Sequence, residues 1–175
     1  MKEYDFAGIT PKISPYLDAE NSFYNQDFMN IDKFDYPENL SNAMELMKQA
    51  LNGEVEDQMF YMWLISNAPS EEERQIIGSI RDDEMGHFEL FRQIYYDLTG
   101  MSLRQESEKT FMEPENYCKG LARAIIGEQN AVREYRKILY AMQSRIHINM
   151  MIEIITDENR HGILYNYLFA KNGCR

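Results

Sequence analysis

The chain has 175 residues, 29 acidic and 18 basic, giving a formal charge of −11, and 44% of it is hydrophobic. That length suits one domain with a real core, and the apolar share excludes a chain too polar to fold. Such acidity argues against nucleic-acid binding, and charges interrupt every apolar stretch before the roughly 20 residues that a membrane crossing needs.

The start, Met1-Lys2-Glu3-Tyr4-Asp5, has no apolar segment behind a basic end, so no secretory signal is expected. Two cysteines, Cys118 and Cys174, stand far apart with no Cys-x-x-Cys. This argues against a disulfide scaffold and against a cysteine-held zinc or iron site. Cys118 is expected as a buried thiol, Cys174 in a frayed tail. A soluble protein of a reducing, cytoplasmic compartment is the expectation.

Residues 1–36 carry Gly8, Pro11, Pro15 and eight aromatic residues from Tyr4 to Tyr36, without a sustained helical period. They read as an irregular N-terminal arm whose rings pack on the body or on another subunit. A homodimer is the expected assembly. Residues 37–175 then form one all-α domain.

Four helices are expected there, over 38–67, 70–98, 114–142 and 145–171. Ala68-Pro69 ends the first, and Ser70 with Glu73 forms a capping box for the second. Gly100 closes the second, and Pro114 suits the first turn of the third. Short turns make helices one and two, and three and four, antiparallel hairpins. The stretch 99–113 is long enough to cross the bundle between them, so an antiparallel four-helix bundle with one long crossover is expected.

The inward stripe of each helix is apolar except near its middle. Helix one reads Leu51, Glu54, Gln58, Tyr61; helix two Ile80, Glu84, His87, Phe91; helix three Ile125, Glu128, Val132, Tyr135; helix four Ile154, Glu158, His161, Tyr165. Glu54 lies 14 residues before Ala68 and Glu84 lies 14 after Ser70. At 1.5 Å per residue both sit roughly 21 Å from their turn. Glu128 and Glu158 flank the other turn in the same way. An offset of 74 carries Glu54 to Glu128, Tyr61 to Tyr135, Asp83 to Asp157, Glu84 to Glu158 and His87 to His161, with Gly53 and Gly127 also matched. Four buried carboxylates at one level cannot all stay ionised alone. Two divalent ions would neutralise them, with the histidines binding as neutral imidazoles.

The pattern Glu54, Glu84-x-x-His87, Glu128, Glu158-x-x-His161 resembles the signature of the ferritin-like di-iron carboxylate superfamily. Ala50-Leu51-Asn52-Gly53-Glu54, with Tyr61 seven residues on, is similar to the first-helix motif of the rubrerythrin-type bundle. Asp157-Glu158-Asn159-Arg160-His161 is similar to the Asp-Glu-x-Arg-His motif of di-iron oxygenases. The resemblance implies a ferritin-like fold and two iron ions, with manganese as the alternative. Glu54 and Glu128 would be terminal ligands, Glu84 and Glu158 bridges, and His87 and His161 would each complete one site. Asp83 and Asp157 would accept hydrogen bonds from the ligand imidazoles, and Tyr61 and Tyr135 would donate to ligand carboxylates. No catalytic group beyond the metal ligands is implied.

The implied activity is an oxidoreductase reacting with O2 or H2O2 and re-reduced by an external electron donor, since the sequence holds no rubredoxin-like Cys-x-x-Cys. Rubrerythrins place a further glutamate three residues after the third-helix ligand; here that position is Ala131. Two other readings stay open, a non-catalytic iron or manganese binder and an assembly or coat protein built on the same bundle.

Overall fold

The computed structural model describes residue 34 and residues 39–103 and 111–175. The arm expected over 1–36 therefore lies outside the described residues, except for Phe34, and so does the middle of the crossover. Among the described residues there are four helices and no strand: α1 Leu40–Asn67, α2 Glu71–Thr99, α3 Tyr117–Tyr140 and α4 Arg145–Lys171. None is long and apolar enough to cross a membrane.

The punctuation acts through local hydrogen bonds. Ser70 has extended backbone and its side chain accepts from the Glu73 amide at 3.3 Å, starting α2. Gly100 closes that helix at φ 69°, a left-handed conformation that costs glycine little. Helix α3 begins three residues later than Pro114 suggests, because the Asn116 side chain accepts from the Lys119 amide at 3.0 Å and supplies the cap. Proline's fitness for a first turn cannot outbid that bond.

Each helix packs on two others: α1 on α2 and α3, and α4 on α2 and α3. Asn39, before α1, donates to the Lys137 carbonyl near the end of α3, so α1 and α3 run antiparallel. Lys171 and Asn172, ending α4, reach Glu73 at the start of α2, so that pair is antiparallel too. Leu103 packs on the core cluster at one end of the bundle and Phe111 on the cluster at the other. This is the ferritin-like four-helix arrangement.

The core is divided. One apolar cluster holds Met47, Leu51, Phe91, Ile94, Ile138, Met151 and Ile154; the other holds Leu64, Ile77, Ile80, Leu121, Tyr165 and Leu168. Side chains of this kind contribute about 1.5–3 kcal/mol each on burial, so each cluster holds its own end of the bundle together. Between them runs a layer of acids and histidines.

Two expectations need correction. Cys118 and Cys174 are not separate: a disulfide joins them across 56 residues of sequence, tying the first turn of α3 to the chain beyond α4. Antiparallel pairing of α3 with α4 brings these ends together, which sequence distance conceals. Cysteine usage therefore gives no argument for a reducing compartment. His147, expected to be partly exposed, is buried, with Nε2 3.0 Å from Asp97 Oδ2.

Candidate metal centre

Glu84, His87, Glu128, Glu158 and His161 are all buried, at 6%, 3%, 6%, 2% and 0% exposure. Glutamate and histidine three residues apart share a helix face, so α2 and α4 each present an acid and an imidazole to the same level. At residue 162 the glycine of α4 leaves room for the Gln129 side chain of α3. A Cβ there would stand 2.5 Å from Gln129 Nε2 and 3.6 Å from Glu128 Cβ.

Both imidazoles turn Nδ1 to the glutamates and Nε2 away from them. His161 Nδ1 lies 3.0 Å from Glu84 Oε1 and 3.7 Å from Glu128 Oε2. His87 Nδ1 lies 3.4 Å from Glu84 Oε2 and 3.2 Å from Glu158 Oε1. Glu84 thus stands between the two histidines. On the outer side the contacts cross between helices: His161 Nε2 is 3.1 Å from Asp83, and His87 Nε2 is 3.3 Å from Asp157. Arg160 then ties the two aspartates together, with Nη2 donating to Asp83 at 2.6 Å and to Asp157 at 2.9 Å.

Burial dominates the electrostatics of this layer, and its neighbours decide the signs. Burial opposes the charge on His87, but contacts with Glu158 and Glu84 outweigh it and raise the imidazole to about 10. His161 behaves alike through Glu128 and Glu84, again reaching about 10. Glu84, between both imidazoles, is held below the usual carboxylate range despite its burial. Burial and the nearby Glu84 charge push Glu158 well up; Glu128 is raised chiefly by burial. With nothing else in the layer, imidazolium and shared protons carry its charge balance.

A cavity of about 300 Å³ opens onto the layer, lined by Asp57, Tyr61, Glu84, Glu128, Tyr135 and Glu158 among others. Tyr61 and Tyr135 face this cavity, and no hydrogen bond from either to Glu54, Glu84, Glu128 or Glu158 is seen among the described residues. Burial raises both phenols, Glu84 and Glu128 adding to it at Tyr61, and Glu158 and Glu84 at Tyr135. Glu54 is not brought into the group. Its carboxylate accepts from Arg92 and, at 3.4 Å, from Gln58. Sequence periodicity placed Glu54 at the right height, but Arg92, reaching across from α2, has no signature in the sequence. Arg160 could have been found from its motif, and Asp57 from its place one turn after Glu54. Tyr165 was visible on the inward stripe; it is fully buried with an unpartnered hydroxyl.

The donor set fits divalent cations. Glu84, Glu128, Glu158 and His161 each offer a ligand atom, all within 4.8 Å of one another. His87 Nδ1 and Glu158 Oε1 are buried without a hydrogen-bond partner, although they face each other. An orphaned donor atom normally costs stability, and a cation would satisfy both. Oxygen and imidazole ligands suit iron or manganese.

Comparison with known proteins agrees with this picture. The rubrerythrin family model matches residues 45–169, a span that takes in all of α2 and α3, most of α1 and α4, and the whole polar layer. A Bacillus subtilis (strain 168) protein described as uncharacterized protein YhjR is 27% identical over 121 residues, covering 69% of this chain and 82% of its own. No solved structure matches the chain.

Proposed function

The chain belongs to the rubrerythrin family, and on that premise we propose that it is a di-iron oxidoreductase that reduces dioxygen or hydrogen peroxide. The observation that carries this is the pair of orphaned buried atoms, His87 Nδ1 and Glu158 Oε1, inside a layer of acids and imidazoles. Glu84, His87, Glu128, Glu158 and His161 would hold the two ions, with a further carboxylate from α1. Two ferrous ions held there would supply the electron pair that an O–O bond accepts.

The chain's own residues prepare the site. Asp83 and Asp157 fix the imidazoles so that Nδ1 faces inward, and Arg160 fixes the aspartates. The cavity between α1 and α3 gives a small oxidant access to Glu84, Glu128 and Glu158, while Phe60 and Phe88 make part of its wall apolar. Tyr61 and Tyr135, with phenols raised by burial, keep their protons and can donate into the cavity. An external donor would restore the electrons.

The test is to load the protein anaerobically with Fe(II) and mix it with O2 and H2O2 in separate runs, following ferric absorbance. Oxidation much faster than that of free Fe(II) is expected with both oxidants, without a large preference for peroxide, since Ala131 replaces the extra third-helix glutamate of rubrerythrins. Oxidation no faster than in buffer would leave a metal-binding protein instead.

A further inference from the structure

The cavity over the polar layer holds about 300 Å³. A water's share of the liquid is about 30 Å³, so the interior has room for far more than one dioxygen or peroxide molecule. Selection by size must therefore act where the cavity opens, and burial locates that opening. Of the residues that line it, Glu84, Phe88, Ala124, Glu128 and Glu158 are buried, while Arg123 and Gly127 are exposed. Those two stand four positions apart on α3, so they are neighbours on one face of the helix.

Packing does not require a glycine at residue 127. A Cβ there would meet nothing within 4 Å, whereas at Gly120 it would stand 2.5 Å from the Trp63 ring. Nor does the backbone require one, since the glycines with positive φ are Gly100 and Gly173. Glycine destabilises a helix interior relative to alanine. Gly78 and Gly86 are as open, but neither borders this cavity. What Gly127 supplies is an unobstructed rim.

Arg123 forms the other side of the opening and is held from three directions. Nη2 donates to Glu56 Oε1 on α1 at 2.9 Å, and Nη1 to the Met112 carbonyl before α3 at 3.2 Å. Its guanidinium also lies 4.7 Å from the Phe60 ring centroid and 5.9 Å from that of Phe111. Arg123 is the only cation among the described residues that line the cavity, and Glu56 compensates its charge. It therefore narrows the opening by bulk, as a fixed plane beside two aromatic rings.

We propose that the cavity is entered along α3 between Arg123 and Gly127, and that Arg123 is the specificity-determining residue at this entrance. Held by Glu56, Phe60, Phe111 and Met112, it admits oxidants the size of O2 or H2O2 and excludes bulky organic hydroperoxides. This rests on the metal-centre reading above.

The experiment loads the full chain anaerobically with Co(II) and follows its visible bands as azide or phenylimidazole is added. Both ligate Co(II) and they differ in bulk, so the readout is entry and not turnover. Wild-type protein should bind azide and exclude phenylimidazole. Arg123→Ala should bind both; the Arg123 side chain is 42% exposed, so its loss should leave the fold intact. Gly127→Leu should slow azide entry by about tenfold or more, within the range over which substitutions change association rates. Its apo-protein should melt no lower than the wild type, because leucine is the better helix former. Circular dichroism and the Co(II) count show that each variant folds and loads, with Arg123→Gln and Gly127→Met replacing any that does not. Phenylimidazole still excluded from the Arg123 variant, or azide entry unchanged in the Gly127 variant, would overturn the proposal. So would phenylimidazole entering the wild type as fast as azide, or azide entering none of the loaded proteins. A wild-type chain that takes up no Co(II) would instead defeat the metal-centre reading itself.

Discussion

His161 Nε2 lies 3.1 Å from Asp83 Oδ2, a contact from α4 to α2 that is mirrored by His87 Nε2 and Asp157 at 3.3 Å. Each imidazole is thus oriented by the acid that precedes the other helix's glutamate, and Arg160 holds both acids at once. The duplicated Asp-Glu-x-x-His segments interlock rather than each serving itself.

Arg160 is half exposed, with 47% of its side chain accessible, so its removal should leave the fold intact. Arg160→Ala should lower metal affinity by about 10–100-fold by freeing both aspartates. Competition with a chelator measures this, and an unchanged affinity would show that the imidazoles are fixed without it.

Removing the charges tests the layer from within. Glu84→Ala with Glu158→Ala should abolish metal binding. Buried acids without a cation are costly, so the double variant should melt no lower than the wild-type apo-protein. A melting temperature far below that of the apo-protein would assign these acids to ordinary structural hydrogen bonding.

Metal-free stability should fall as pH rises. His87 and His161 titrate near 10 in the folded chain, against about 6.5 when unfolded. A raised imidazole contributes fully below pH 6.5 and loses that contribution as pH climbs towards 10. The raised Glu158 carboxyl acts in the same sense, since it favours the protonated, folded form at lower pH. Metal binding displaces these protons, so the stabilisation by added Fe(II) should grow over the same window. Melting curves of apo- and metal-loaded protein between pH 6 and pH 9 would show the two trends diverging. Parallel curves would contradict the assignment.

The Cys118–Cys174 bond closes 56 residues of sequence, for which loop entropy gives a stabilisation of about 4 kcal/mol. Cys118→Ser should lower the melting temperature markedly and leave metal stoichiometry unchanged, because the bond sits at the start of α3, about 15 Å of helix before Glu128. A loss of metal along with stability would mean that the bond positions the layer.

Much of this was legible in the sequence because helices report their inward face through periodicity. Glu84, His87, Glu128, Glu158 and His161 interrupt apolar stripes at matched heights, and caps such as Ser70 and Gly100 fix where the stripes begin and end. Contacts across helices were not legible. Arg92 reaching Glu54, Asp97 beneath His147 and the joining of Cys118 to Cys174 depend on which helices are neighbours and how they are rotated. Glu54 is the instructive case: spacing put it at the level of the layer, and its contact with Arg92 of α2 holds it out of the group.

The central claim, that this layer is a two-metal centre, is tested most directly by anaerobic titration of the apo-protein with Fe(II), counting the ions bound per chain. The account predicts two, both lost in the Glu84→Ala, Glu158→Ala variant. Saturation below one ion per chain, or binding that survives the double substitution, would contradict it.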